Sequence, residues 1–250
     1  MKAFILNLRT STERREYMNG ILKDVTVVHP IFIDAIDGRK LSENERDYLF
    51  DEERFKREYD RSIRPGEIGC TLSHQKCYRE LLHSDDNSLI IFEDDIIVNS
   101  EITALLPKVE KWLSVDEPRV MLLSGWFWHK KPQQFFEEYK IAEIIDGFLT
   151  HAYALNKSAA RLMLDTKPWY LADAWEMFRN RGIKIMGLKP HPFDQDWSGV
   201  FTTTVNDEAI NKNHKLSVKL LQEKIRSLRN KTLQIFGRFE HPQSIPTIKI

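Results

Sequence analysis

The chain has 250 residues, 42% of them hydrophobic and 30% charged, and its formal net charge at pH 7 is zero. That is enough apolar material for one sizeable α/β domain, with or without an appendage. A balanced charge gives no global field that would draw the chain onto nucleic acid, so no nucleic-acid partner is expected and any polyanion site must be local.

The apolar part of Met1 to Arg9 is too short for a signal peptide, and no uncharged apolar run approaches the roughly 20 residues of a membrane span. A cytoplasmic location is therefore expected. Ala3 to Leu8 reads as a buried strand, and Thr10-Ser11-Thr12-Glu13 has capping-box spacing, which predicts a helix to about Lys23. Val25 to Val28 is β-branched and reads as a second strand. Ile31 to Ile36 reads as a third extended piece, ending at the turn signal Asp37-Gly38. Ser42-Glu43-Asn44-Glu45 opens a short helix. Asp51 to Arg64 is densely charged and reads as an exposed segment.

Pro65-Gly66 precedes a helix to about His83, with Ile68, Leu72, Tyr78, Leu81 and Leu82 at helical spacing. Cys70 and Cys77 on this helix would lie about 10 Å apart along its axis, beyond the roughly 7 Å a disulfide spans. They are expected to be reduced, and the absence of a Cys/His cluster argues against zinc. Leu89 to Phe92 is a continuous apolar run, as in a strand buried on both faces, and it leads directly into Glu93-Asp94-Asp95.

Ser100 is a candidate cap for a helix over Glu101 to Leu113, with Pro107 kinking it. Val120 to Leu123 reads as a strand, and Gly125 to Lys140 as aromatic and irregular. Ile144-Ile145 and His151 to Leu155 look like strands. Asn156 to Leu164 and Ala172 to Arg181 look like helices, and Ile183 to Met186 like a strand. Lys189 to Asp207 is a Pro/Asp-rich loop. Asn211 to Lys231 is a basic amphipathic helix with Leu216, Leu220, Leu221, Ile225 and Leu228 on one side. The alternation argues for an α/β sheet, with residues 1–208 as the catalytic domain and 209–250 as a basic helical extension. That extension either packs on its own domain or lies peripherally on an anionic inner membrane.

Three consecutive carboxylates at the exit of a buried strand are costly unless paired or metal-bound. Strand alternation would put Glu93 and Asp95 on one side and Asp94 on the other. Two carboxylates on one side make a hard oxygen site for Mn²⁺ or Mg²⁺. In open α/β sheets the ligand crevice lies beyond the carboxyl ends of the strands, where these acids fall. A solvated acidic turn is the alternative, and the flanking Ile96-Ile97-Val98 weighs against it.

Five stretches resemble glycosyltransferase family 25, the lipopolysaccharide and procollagen galactosyltransferase family. They are Phe4-Ile5-Leu6-Asn7-Leu8 with Arg9 and Arg14; Asp34-Ala35-Ile36-Asp37-Gly38; Pro65-Gly66-Glu67-Ile68-Gly69-Cys70-Thr71-Leu72-Ser73-His74; Leu89 to Asp95; and Thr150 to Leu155 followed by Ala159-Ala160. The resemblance spans roughly residues 1–205 and departs from the family at Thr150-His151-Ala152, where glycine and other small residues are common. It implies a GT-A-like, Rossmann-type mixed sheet flanked by helices. It also implies a nucleotide-sugar donor (a UDP-sugar, with galactose the family's most familiar sugar), a saccharide or lipid-linked saccharide acceptor, a divalent metal, and inversion at the anomeric carbon.

On that resemblance Asn7, Leu8, Arg9, Asp37, Gly66, Glu67, His74 and Asp94 are candidate donor-binding residues, with Glu93 and Asp95 as metal ligands. Plain structural roles stay open for several. Asp37 sits in an Asp-Gly turn, Glu67 could serve the helix dipole, and His74 could be a satisfied core residue. Inversion requires a carboxylate that takes the proton from the acceptor hydroxyl. Asp173 is the choice, with Glu176 and Asp146 as substitutes and a helix N-cap as its alternative role. Trp126, Trp128 and His151 are candidate acceptor contacts, Trp169 a further stacking surface, and His191 a candidate additional metal ligand. A metal-dependent nucleotidyltransferase or phosphohydrolase, and a non-catalytic sugar-binding protein, are the competing readings.

Overall fold

The apolar run after Met1 forms β1 (Lys2–Asn7), which pairs in parallel with β2 (His29–Asp34) and β3 (Ser88–Glu93). The computed structural model describes residues 1–98, 102–195 and 218–240. The sheet continues through β9 (Ala152–Asn156), β5 (Arg119–Leu122) and β10 (Lys184–Lys189). β8 (Tyr139–Phe148), β6 (Trp126–His129) and β12 (Phe239–Glu240) complete it, with β7 (Gln133–Phe136) on β8. β9 runs antiparallel between β3 and β5, so the sheet is mixed. β4 (Ile96–Val98) and β11 (Phe193–Gln195) form a separate antiparallel pair.

Strand alternation distributes the core over both faces, as the unbroken apolar runs require. Ala3, Ile5, Ile90 and Phe92 pack with α1 (Thr12–Leu22) and α5 (Leu106–Leu113). Phe4, Leu6, Leu89 and Ile91 pack with α4 (Pro65–His83), α6 (Lys157–Leu164) and α7 (Trp175–Asn180). The chain is thus an α/β fold, a large mixed sheet flanked by helices. Cys70 and Cys77 are free.

Several elements differ from expectation. Val25 to Val28 is a turn, not a strand: the Val28 amide bonds to the Val25 carbonyl at 3.1 Å while Val28 itself is buried in the core. The charged stretch from Asp51 carries α3 (Glu52–Tyr59), and with α2 (Glu43–Leu49) before it, it encloses a small core of Phe50, Phe55, Ile63, Ile68 and Leu72. The aromatic stretch after Gly125 is β structure, β6 to β8. α5 starts at Leu106 with Pro107 in its first turn, where a missing amide costs nothing. The predicted cap Ser100, residues 196–207 of the Pro/Asp-rich loop and residues 211–217 of the tail helix lie outside the described residues.

The tail forms α8 (Val218–Ile235), closed by Gly237 in the left-handed region at φ 65°, after which β12 pairs with β6. Near the other end of the sheet two backbones touch. A Cβ on Gly38 would fall 1.8 Å from the Pro65 carbonyl oxygen, and one on Gly69 would fall 2.4 Å from that of Ile36. Only glycine at both positions lets the Asp37-Gly38 turn rest on the start of α4. Gly69→Ala should therefore lower stability by about 2 kcal/mol, the range of overpacked sites, read as a lower urea midpoint at unchanged slope.

Candidate active site

β3 ends at Glu93, and the chain turns at Asp94-Asp95 before β4. The alternation expected to separate Asp94 from its neighbours therefore does not extend through the acids. Asp94 and Asp95 instead share one arginine. Arg14 Nη1, from α1, donates to Asp94 Oδ1 at 2.5 Å and to Asp95 Oδ2 at 3.3 Å. Asn7 Nδ2 donates to Asp94 at 2.7 Å, and Gln195 Nε2 donates to Asp95 at 3.0 Å. Glu93 has different partners: Thr150 Oγ1 donates to its Oε1, and His74 Nε2 lies 3.7 Å from the same oxygen. His74 Nδ1 is in turn 2.7 Å from the Tyr153 hydroxyl, which meets that of Tyr78 at 2.8 Å, so the imidazole is fixed from behind.

All three acids border one cavity of about 150 Å³, together with Leu8, Asp37, Gly66 and His74. The other donor-site positions predicted from sequence have separate fates. Asp37 caps its own turn through the Arg39 amide at 3.2 Å while still facing the cavity, and its hydrogen bond from the Arg39 side chain holds its pKa low. Asn7 is buried and acts on Asp94. Arg9, with 87% of its side chain exposed, borders an adjoining groove that shares Leu8 and Asp37. Glu67 is not at the cavity wall. Its carboxylate is held by both terminal nitrogens of Arg61 at 2.8 Å and by the Arg64 amide at 2.9 Å, so it caps α4.

Burial opposes the charge on Glu93, but His74, His151 and Thr150 together hold its pKa below the usual carboxylate range. Asp95 is pushed the other way, by burial and by the charge of Glu93, against His151, Gln195 and Arg14. Asp95 Oδ1 is buried and has no hydrogen-bond donor among the described residues. A small hard cation would satisfy it, and Glu93 borders the same cavity, so this donor set fits Mn²⁺ or Mg²⁺. Cys70, His74 and Glu93 also place ligand atoms within 4.8 Å of one another. Sequence reading found no such cluster because Glu93 joins it from another element.

Asp173 borders a second cavity, of about 770 Å³, with Arg54, Tyr59, Phe148, Trp169 and Arg226 among its walls. α7 begins at Trp175 with Ala174 as its cap, so Asp173 is not the N-cap. Its Oδ2 accepts from the Leu149 amide at 3.0 Å. Burial lifts its pKa against that bond, and the charges of Glu93 and Glu67 add to the rise. The two cavities are close neighbours: the Cys70 thiol borders the first, and burial and then the fields of both Glu93 and Asp173 push its pKa up.

The substitute bases are otherwise engaged. Asp146 is fully buried, accepts from Arg226 Nε at 2.6 Å and from Asn230 at 2.7 Å, and Glu176 accepts from Arg229 at 3.0 Å. The predicted acceptor residues do not line the second cavity. Trp126 is 43% exposed on β6, and the Trp128 ring packs 4.6 Å from that of Phe239. His151 is buried, with its carbonyl accepting from the Glu93 amide at 2.9 Å and its ring in the field of the acids. His191 packs on Phe127 at 5.3 Å. Trp169 does line the second cavity, with the Arg54 guanidinium 4.1 Å over its ring. Sequence reading does not single out Arg54, in a densely charged stretch, or Arg226, in a basic amphipathic helix, because nothing local marks which of several arginines faces a cavity.

The sequence profile of "Glycosyltransferase family 25 (LPS biosynthesis protein)" matches residues 1–175. The chain belongs to glycosyltransferase family 25. It is 26% identical over 180 residues to a glycosyltransferase 25 family member of Aedes aegypti, covering 66% of this chain and 28% of that one. It is 24% identical over 177 residues to the human "Inactive glycosyltransferase 25 family member 3", covering 67% and 29%. The chain thus spans less than a third of the length of these relatives. Among solved structures, a glycosyltransferase involved in the glycosylation of the major capsid of PBCV-1 is similar over 94% of this chain and 98% of that one, at 10% identity and a TM-score of 0.42. The galactosyltransferase LgtC, solved with donor and acceptor sugar analogs, covers 74% of this chain and 73% of its own at 11% identity, with a TM-score of 0.35.

The family 25 match covers the first cavity's walls except Gln195 and the second cavity's walls up to Trp175, and it stops before α8. Within it, Arg14 is the counter-charge of two buried acids. Arg14→Ala should cost about 3 kcal/mol, because it leaves two buried carboxylates without their cation, while the conservative Arg14→Lys should recover part of the loss. Urea denaturation of the three proteins reads this directly.

Proposed function

We propose that the chain is an inverting glycosyltransferase that moves a hexose, galactose first among candidates, from a UDP-sugar to a saccharide or lipid-linked saccharide acceptor in lipopolysaccharide or other surface-glycan synthesis. One observation carries the reading: a cavity bordered by three acids, two of them buried, adjoins a larger one bordered by a half-buried carboxylate of raised pKa.

In this reading the smaller cavity receives the donor. Asp37 accepts from the nucleoside, and Gly66 lets the backbone at the start of α4 approach the donor, where the helix's amides favour an anion. Asp95, through its free oxygen, and Glu93 would hold Mn²⁺ or Mg²⁺, which when bound supplies Lewis-acid neutralisation of the leaving diphosphate. Arg14 bonds to both Asp94 and Asp95, and His74 with Thr150 orients Glu93. The larger cavity receives the acceptor, with Trp169 and Phe148 as apolar walls. Asp173 takes the proton from the attacking hydroxyl as the new glycosidic bond forms at the anomeric carbon and the bond to the diphosphate breaks. The backbone amide of Leu149 keeps that carboxylate aimed.

The family also contains members named inactive, so a sugar-binding protein without turnover is the second reading. A screen of nucleotide-sugars with Mn²⁺, reading release of the nucleoside diphosphate, separates the two. Release that requires both metal and acceptor is expected, and binding without release from any donor favours the second reading. Asp95→Asn should lower metal-dependent turnover by at least about a hundredfold, consistent with loss of transition-state charge stabilisation, at unchanged fold by circular dichroism. Asp173→Asn should lower kcat by about 10²-fold or more, the usual range for a lost general base, with little change in donor affinity. In the wild type the base works only when ionised, so kcat/KM should rise with pH through an apparent pKa above the ordinary carboxylate range. That acid limb should be absent from the residual activity of Asp173→Asn.

A further inference from the structure

α8 is built inside out for a surface helix. Its polar side faces the protein: Arg226 and Asn230 bond to the fully buried Asp146, and Arg229 bonds to Glu176. Its apolar side faces away, with Ile225, Leu228 and Ile235 exposed by 59%, 68% and 82%, and Phe236 just beyond it by 72%. The spacing 225, 228, 232, 235 is one helical stripe, interrupted only by Thr232, and the exposed Lys224 and Lys231 flank it. From residue 211 to 238 the sequence has eight lysines and arginines and a single acid, Glu223. Two of those arginines are used inward, so the outward face keeps its lysines beside bare hydrocarbon.

We propose that this face rests on an anionic phospholipid bilayer, with Ile225, Leu228, Ile235 and Phe236 entering the acyl boundary and the lysines meeting lipid phosphates. Two features select a bilayer over a protein partner. Apolar residues at the centre with lysines at the rim match the depth profile of an interfacial helix. The one-sided basic charge matches an anionic leaflet and would repel a second copy of the same face. The helix also forms part of the second cavity, because Arg226 borders it beside Phe148, 5.6 Å from the ring. Resting on the acceptor assignment above, this puts the acceptor cavity one helix thickness from the lipid surface, near where a lipid-linked saccharide would be presented. α8 lies outside the family 25 match, so this docking belongs to the chain's own extension.

The test is flotation of the full chain with vesicles of phosphatidylcholine alone and of phosphatidylcholine mixed with phosphatidylglycerol. Binding is expected to the mixed vesicles, weakened by salt and weak on the neutral ones. Lys224→Ser with Lys231→Ser should weaken it about tenfold or more, and Leu228→Glu with Ile235→Glu should abolish it. None of these four residues touches either cavity, so metal-dependent donor turnover should match the wild type in all variants. A wild type that stays with no vesicles at low salt overturns the proposal, as does full binding by the Leu228→Glu, Ile235→Glu protein. A dimer in sedimentation velocity that this variant dissolves, without vesicle binding, would assign the face to a second copy instead. Loss of flotation with turnover intact defeats the membrane inference alone, whereas flotation without turnover on any donor defeats the functional reading alone.

Discussion

Three carboxylates leave a buried strand in three consecutive residues, and the sheet can close over them only if their charge is met. Arg14 reaches across 80 positions of sequence to hold Asp94, and shares itself with Asp95. Asn7, at the end of the neighbouring parallel strand, completes Asp94, while Thr150 and His74 attend Glu93. These partners come from α1, β1, α4 and the approach to β9. The acid cluster therefore ties together four parts of the fold whose only common purpose is to make its burial tolerable. What is left over is a buried oxygen of Asp95 with no hydrogen-bond donor among the described residues.

Glu93 and Asp173 are held differently. A carboxylate with cationic neighbours stays charged and suits cation binding. A carboxylate surrounded by other acids and apolar walls is pushed toward protonation and suits proton transfer. Glu93 and Asp173 lie on opposite sides of that distinction within reach of the same thiol, Cys70. The close contact of Gly38 with α4 fixes the Asp37 side of the smaller cavity against that same helix.

Much of this was legible in the residues. The two-sided burial of Leu89 to Phe92, the helix after Pro65-Gly66 and the capping box at Ser42 all follow from local chemistry, and each is found. What failed was local pattern standing in for tertiary context. Val25 and Val28 look like a strand yet reach the core from a turn. Phe50, Phe55 and Ile63 belong to one small core but sit just after α2, in α3 and in the loop beyond it, so no helical stripe shows. Of the β6 tryptophans read as an acceptor lip, Trp126 is exposed and the Trp128 ring has Phe148 and Phe239 as neighbours. At the site, residue types were readable and partnerships were not. Glu67 was seen, but its clamp by Arg61 was not. Asp146 was seen, but the arginine that neutralises it lies 80 residues later.

The short strand β12 has a consequence of its own. It covers part of the open edge of β6, the last strand of the sheet on that side. Uncovered edges invite pairing with other chains. A protease cut near Gly237 would therefore do more than loosen the tail: it would unmask a sticky border rich in tryptophan and phenylalanine. Self-association into insoluble material would then be the first symptom of damage there, ahead of any change in chemistry.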